Sequence, residues 1–268
     1  MDLRGQTALV TGASTGIGLA FAQELASRGA DVVLVARSER KLRANADEII
    51  RRHAVRAEVF AVDLERPGAV DEIARRLDAA GRQIDILVNN AGFATHGDVA
   101  TADPARQAAQ VRLNCLAIVE LTSRFLPAMT TRGAGVVVNV ASTAAYQPLA
   151  HMAVYSATKA FILTYTEALW AEAKPAGVRV IAVSPGATDT PFFDVVGAEE
   201  ASVGRRRTPR QVVATALRGL EKGRPSVVDG TMNKIVAGLP RALPRRAAIQ
   251  IAERSVRPNG PAEHATTQ

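Results

Sequence analysis

A chain of 268 residues, 47% hydrophobic and 22% charged, has length for one large domain or two small ones and is too apolar to remain disordered. Its net charge of +7 is concentrated in residues 201–257, which hold thirteen Lys/Arg against three Asp/Glu; with no interleaved aromatics there, nucleic-acid binding is excluded. The single cysteine, Cys115, excludes an intrachain disulfide, and no apolar run forms a secretory leader or approaches the roughly 18–20 residues of a bilayer span, so the expected location is cytoplasmic.

In chain order, "TALVTG" (7–12) reads as a buried strand, followed by a glycine turn and a helix over 17–28. Gly12, Gly16 and Gly18 are spaced G-x-x-x-G-x-G. Glycines permit a tight turn and let backbone N–H groups approach a pyrophosphate, with the helix N-terminus adding a favourable dipole. The second strand, "DVVLVA" (31–36), ends in Ala36-Arg37 without the carboxylate that would bond a free ribose 2′-hydroxyl. A guanidinium suits a 2′-phosphate, which favours NADP(H) over NAD(H). Glu39, which opens the helix over 39–53, is the residue that could reverse this preference. The third strand, "AEVFAVD" (57–63), ends at Asp63. That carboxylate either bonds an adenine amino group or caps the helix beginning near Pro67.

The pattern continues with a helix over 68–80, the strand "IDILVNN" (84–90), a long helix over 103–131, and the strand "GVVVNVAS" (135–142). A helix over 152–174, the strand "VRVIAVSPG" (178–186), a helix over 208–222 and the short run "PSVVDG" (225–230) complete it. Continuous hydrophobic strands alternating with helices predict a doubly wound, Rossmann-type α/β fold: a parallel sheet with helices on both faces, in a single domain over residues 1–230. Ligands in such sheets bind at the carboxyl ends of the strands. Tyr155 and Lys159, one turn apart, share a helix face near such an end.

Beyond that domain, residues 231–257 form a basic, partly helical extension. Met232, Ile235, Val236 and Leu239 have helical spacing, and prolines follow at 240 and 244. The extension is expected to pack over the substrate loop or a neighbouring subunit, or to lie against anionic lipid as a peripheral membrane contact. Residues 258–268 read as a disordered end. No His/Cys/Asp set has metal-ligand spacing.

Four features align: "TGASTGIG" (11–18), "NNAG" (89–92), Ser142 closing the fifth strand, and "YSATK" (155–159). Together with "LN" (113–114) and "SPGATDTPFF" (184–193), the ensemble resembles the short-chain dehydrogenase/reductase family in its single-domain branch, over roughly residues 4–230. The resemblance implies an oxidoreductase with a Ser142-Tyr155-Lys159-Asn114 tetrad. Tyr155 is the acid in reduction and the base in oxidation, and a nearby ammonium should lower its pKa from about 10. Ser142 holds the substrate oxygen, Lys159 assists Tyr155, and Asn114 helps hold a relay water. Ser14, Thr15, Ile17, Leu64, Asn90, Ala91 and Gly92 join the glycines, Arg37 and Asp63 as cofactor contacts. Tyr155, Lys159, Pro185, Gly186, Thr188 and Thr190 would meet the nicotinamide end.

The substrate pocket is expected to draw on Phe93, Ala144, Met152, Phe192 and Phe193, with Ala94 and Ala145 beside them. Such a wall suits a hydrophobic ketone, aldehyde or secondary alcohol. His96 and His151 flank it in sequence and read by default as surface residues. The resemblance also implies a homodimer or homotetramer packed through the long central helices. The competing readings are an NADP(H)-sensing regulator without turnover, and a membrane-peripheral acyl- or sterol-type reductase anchored by the basic extension.

Overall fold

Seven β-branched segments pair into one sheet. The computed structural model describes residues 2–192, 206–241 and 243–257. Its strands are β1 (Thr7–Thr11), β2 (Asp31–Ala36), β3 (Ala57–Ala61), β4 (Ile86–Asn89), β5 (Gly135–Val140), β6 (Val178–Ser184) and β7 (Ser226–Val228). All pairings are parallel, in the spatial order β3-β2-β1-β4-β5-β6-β7. The helices are α1 (Gly16–Ser27), α2 (Glu39–His53), α3 (Ala69–Ala79), α4 (Pro104–Val111), α5 (Ala117–Arg132), α6 (Ala153–Ala173), α7 (Pro209–Glu221), α8 (Thr231–Gly238) and α9 (Arg245–Val256).

Both sheet faces are covered, which explains why most strand positions are apolar, with Glu58 of β3, Asn139 of β5 and Arg179 of β6 among the exceptions. In β1, Ala8 and Val10 join Phe21 and Leu25 of α1, Leu42 of α2 and Leu217 of α7 on one face. Leu9 points the other way, into the layer of Leu77 of α3, Leu121 and Met129 of α5, and Leu169 of α6. Each fully buried side chain of this size contributes about 1.5–3 kcal/mol relative to exposure. Strand order reverses at β1, whose neighbours are β2 and β4. The connections leave their carboxyl ends in opposite directions and open a crevice there.

Two local expectations need correction. The helix expected over 103–131 is interrupted: Asp103 caps α4 by accepting from the Ala105 N–H at 2.9 Å, and a π turn over Arg112–Leu116 then precedes α5. One inserted residue advances the helical phase by about 100°, and the apolar Val111 and Leu116 at its borders are exposed. Second, Asp63 is not a helix cap. β3 stops at Ala61, Asp63 accepts from the Glu65 N–H at 3.0 Å, and Gly68, with φ +76°, occupies the cap of α3. Phe193 and residues 258–268 lie outside the described residues.

Candidate active site

The loops at the carboxyl ends of the strands enclose a cleft of about 1130 Å³. Its floor at one end is the turn after β1. Gly12 has φ +65°, and a Cβ there would stand 2.6 Å from Asn90 Nδ2; a Cβ on Gly18 would stand 2.4 Å from the Gly12 carbonyl oxygen. The turn is held from behind. Asn90 Nδ2 donates to the Thr11 carbonyl at 2.9 Å, Thr11 Oγ1 accepts from the Asn90 and Ala91 N–H groups, and Asn45 Nδ2 donates to the Ser14 carbonyl at 3.1 Å. Thr15, at the N-cap of α1, makes no side-chain cap bond. The α1 N-terminus is therefore presented to the cleft, which Ser14, Thr15, Gly16 and Ile17 line. A cradle that side chains would fill, at a positive helix end, fits the pyrophosphate of a dinucleotide.

Arg37, Asp63, Leu64, Asn90, Ala91 and Gly92 line the same cleft. Arg37 Nη1 lies 3.6 Å from Glu65 Oε1, a pairing that sequence order did not suggest. Lys41, one turn into α2, also lines the cleft; its spacing of four from Arg37 was the available signal. Glu39, by contrast, is absent from the cleft wall and accepts from Arg43 Nε at 3.0 Å.

At the other end, Ser142, Tyr155 and Lys159 meet. Ser142 follows β5 and caps a short 3-10 turn, its Oγ accepting from the Ala144 N–H at 3.1 Å. Its hydroxyl lies on the same cleft wall as the Tyr155 phenol, whose ionised form it favours. Tyr155 and Lys159 rise from the first two turns of α6, both buried, with Lys159 Nζ 5.7 Å from the phenol ring centre and donating to the Val140 carbonyl at 2.8 Å. Burial overturns the expected pKa effect. The Tyr155 phenol is pushed up to about 12, the Ser142 hydroxyl only partly offsetting desolvation. The same desolvation pulls the Lys159 ammonium down to about 8.

Asn114 sits in the π turn, fully buried. Its Oδ1 accepts from the Phe93 N–H at 3.2 Å, and its Nδ2 donates to the Phe93 carbonyl at 3.0 Å and to Thr158 Oγ1 at 3.1 Å. The amide thus ties the β4 loop to α6, and a Cβ added at Gly92 would stand 2.8 Å from Asn114 Oδ1 and 3.9 Å from Lys159 Nζ. Asn89, the neighbouring amide, is absorbed in the core, donating to Asn139 Oδ1 at 2.9 Å.

Pro185, Gly186, Thr188 and Thr190 line the cleft after β6. Thr188 Oγ1 donates to the Gly186 carbonyl at 3.0 Å, and Thr190 packs over Gly16. This segment is braced by Arg207, whose backbone bonds Ala187 and Asp189 and whose guanidinium donates to the fully buried Asp229 carboxylate at 2.5 and 3.1 Å.

Of the expected pocket residues, Phe93, Ala144, Met152 and Phe192 line the cleft, with Phe192 5.8 Å from the Tyr155 ring, whereas Ala145 does not line it. Ala94 packs in the same apolar cluster. Sequence reasoning missed the other half of the wall. Val236 and Leu239, and Ala248, Ile251 and Ala252 of α9, close the cleft opposite Tyr155. The i, i+3, i+4 spacing of those α9 residues was the signal. His151 does not line the cleft. It has φ +60°, its Nδ1 lies 2.6 Å from Asp98 and its Nε2 3.5 Å from Glu253, so it joins α9 to the loop after β4.

Comparison with known proteins converges on the same parts. A family model described as short chain dehydrogenase matches residues 6–201. An uncharacterized oxidoreductase of Staphylococcus saprophyticus is 31% identical over 229 residues, covering 85% of this chain and 96% of that protein. The very-long-chain 3-oxoacyl-CoA reductase of Bos taurus is 31% identical over 254 residues, covering 92% of this chain and 78% of that protein. Among solved structures, a short-chain dehydrogenase from Sphingobium yanoikuyae in complex with NADPH superposes with a TM-score of 0.79 at 31% identity, covering 90% of this chain and 97% of that one.

Proposed function

The chain belongs to the short-chain dehydrogenase/reductase family and is an oxidoreductase acting on CH–OH or carbonyl groups; from that premise we propose that it uses NADP(H) to interconvert a hydrophobic ketone or aldehyde and its alcohol. The observation that carries the reading is the convergence of Ser142, Tyr155 and buried Lys159 on the wall of the same cleft as the glycine turn.

The cofactor, when bound, supplies or accepts the hydride. Ser142 and Tyr155 both hold the substrate oxygen, which fixes the carbonyl carbon between the phenol and the nicotinamide end of the cleft. In reduction the Tyr155 O–H passes its proton to the forming alkoxide. A phenol lifted to about 12 remains protonated at neutral pH, as an acid must. Lys159, with a pKa near 8, is mostly an ammonium at pH 7 and stabilises negative charge left on the phenol oxygen. Asn114, its amide committed to Phe93 and Thr158, positions the β4 loop against α6.

The preference for NADP(H) is supported by Arg37 and Lys41 lining the adenosine end while Glu39 turns to Arg43. An apolar substrate is supported by Ala144, Leu149, Met152, Phe192, Leu239 and Ile251 around Tyr155, and by the acyl reductase among the relatives. Exposed Val111, Leu116 and Phe161 on the α4–α5 and α6 helices support self-association through that face.

Titration of the purified protein with NADPH and NADH, read by Trp170 fluorescence, tests the cofactor. NADPH should bind more tightly, and Arg37→Ala should weaken NADPH but not NADH; equal weakening of both removes the 2′-phosphate assignment. Tyr155→Phe should abolish reduction of apolar ketones while keeping NADPH affinity within a few-fold. A variant turning over at the wild-type rate would show the mechanism to be wrong.

A further inference from the structure

The apolar stripe of α8 faces away from the core. Met232, Ile235, Val236 and Leu239 recur at the i, i+3, i+4, i+7 spacing that ordinarily marks a buried helix face, yet they are 69%, 58%, 40% and 50% exposed. The inward side of α8 is carried by Asn233, against Gly186, and by buried Ala237. α9 repeats the arrangement, with Ala248 and Ala252 buried while Ile249 and Ile251 stand exposed. These six side chains are more than half of the large hydrophobics exposed among the described residues. Exposed apolar side chains gathered in one short segment of the chain ordinarily mark a contact surface.

The charge around the patch selects its partner. Residues 231–257 contain six Lys/Arg and one carboxylate, Glu253, and Lys234, Arg245, Arg246 and Arg254 are exposed beside the apolar side chains. A second copy docked on the same face by a two-fold axis would set like charges against like. An anionic bilayer accepts both components, with apolar side chains at the acyl boundary and cations among the headgroups. We propose that the α8–α9 face is a docking surface for an anionic lipid membrane. The contact is peripheral, because no described helix is long and apolar enough to cross a bilayer. Met232, Val236, Leu239 and Ile251 belong both to the patch and to the cleft wall, so the docked protein opens its cleft toward the lipid. The inference does not depend on the cofactor or the reaction.

Co-sedimentation of the full chain with vesicles tests it, using phosphatidylglycerol/phosphatidylcholine mixtures and phosphatidylcholine alone. The protein should pellet with the anionic vesicles. Pelleting should fall about tenfold or more with the neutral ones and at salt of about 0.5 M, where screening is strong. Ile235→Ser/Ile249→Ser and Arg245→Gln/Arg246→Gln, which alter no residue lining the cleft, should each lower vesicle binding about tenfold or more, with NADPH binding as the check on folding. Absence of pelleting with anionic vesicles overturns the proposal, as does equal pelleting of wild type and both variants. So does dissociation of a wild-type oligomer by Ile235→Ser/Ile249→Ser, seen by light scattering, with vesicle binding intact; the patch would then be a subunit contact. Because neither variant changes a cleft residue, loss of lipid binding and loss of cofactor binding are separate results.

Discussion

Replacing Lys159 by Met tests how strongly the fold opposes the ammonium that it buries. The ammonium is buried and its pKa falls from 10.5 to about 8. A base whose folded pKa is depressed is destabilised, relative to its neutral form, wherever it is protonated. Below pH 8 both states carry the proton and the penalty is complete. Between 8 and 10.5 the unfolded chain keeps the proton while the folded one releases it, so wild-type stability gains as pH rises. From pH 7 to pH 10 this linkage amounts to about 2.5 kcal/mol, at about 1.4 kcal/mol per pKa unit. Lys159→Met lacks the titration, and subtracting one protein from the other cancels the ionisable groups that do not interact with Lys159; Cys115, which does, is replaced by Ser in both proteins. Urea denaturation of both at several pH values gives the difference. It should shift toward the wild type by about 2.5 kcal/mol as pH rises from 7 to 10. A difference that stays constant across that range would mean that Lys159 is solvated in the folded protein, and the electrostatic account of the site would fall with it.

Gly92→Ala places a methyl 2.8 Å from Asn114 Oδ1 and so displaces the amide that holds Phe93 to α6. We expect kcat to drop about tenfold or more with cofactor affinity within a few-fold, and an unchanged kcat would show that the amide positions nothing. Asp229→Ala removes the fully buried partner of Arg207 and Thr215. The loss should be about 3 kcal/mol, seen as a fall in Tm by calorimetry together with weaker cofactor binding, because Arg207 braces the Ala187–Asp189 backbone. An unaltered Tm would refute the brace.

The parallel sheet and the glycine turn were legible because their signals are local. Val, Ile and Leu at successive positions can be satisfied only between two helix layers, and Gly12 and Gly18 stand where no Cβ fits. The π turn at Asn114 was not legible, since a period of 3.6 cannot register one inserted residue. The Tyr155 pKa was misjudged because residue spacing gives the distance to a cation but not the depth of burial. Glu65 and Lys41 were overlooked beside Arg37 because their proximity depends on how the β2 and β3 loops fold back over the cleft. The extension was expected over the substrate loop, but its individual wall residues Ala248, Ile251 and Ala252 were not named, because their spacing shows a helix face without showing what that face meets.

Gly186 and Asn233 constrain how this protein can be recombined with its relatives. The family model ends at residue 201, and α8 begins thirty residues later, as an appended helix would. Yet a Cβ at Gly186 would lie 2.4 Å from Asn233 Nδ2, which itself donates to the Asp229 carbonyl at 2.7 Å. The helix is thus seated on the backbone of the loop after β6 with no clearance for even a methyl group. A chimera that grafts residues 231–257 onto another dehydrogenase will need glycine at the position of Gly186, and one that removes them will leave that glycine unsupported. The extension and the loop beneath it form one inherited unit, divided by sequence but not by packing.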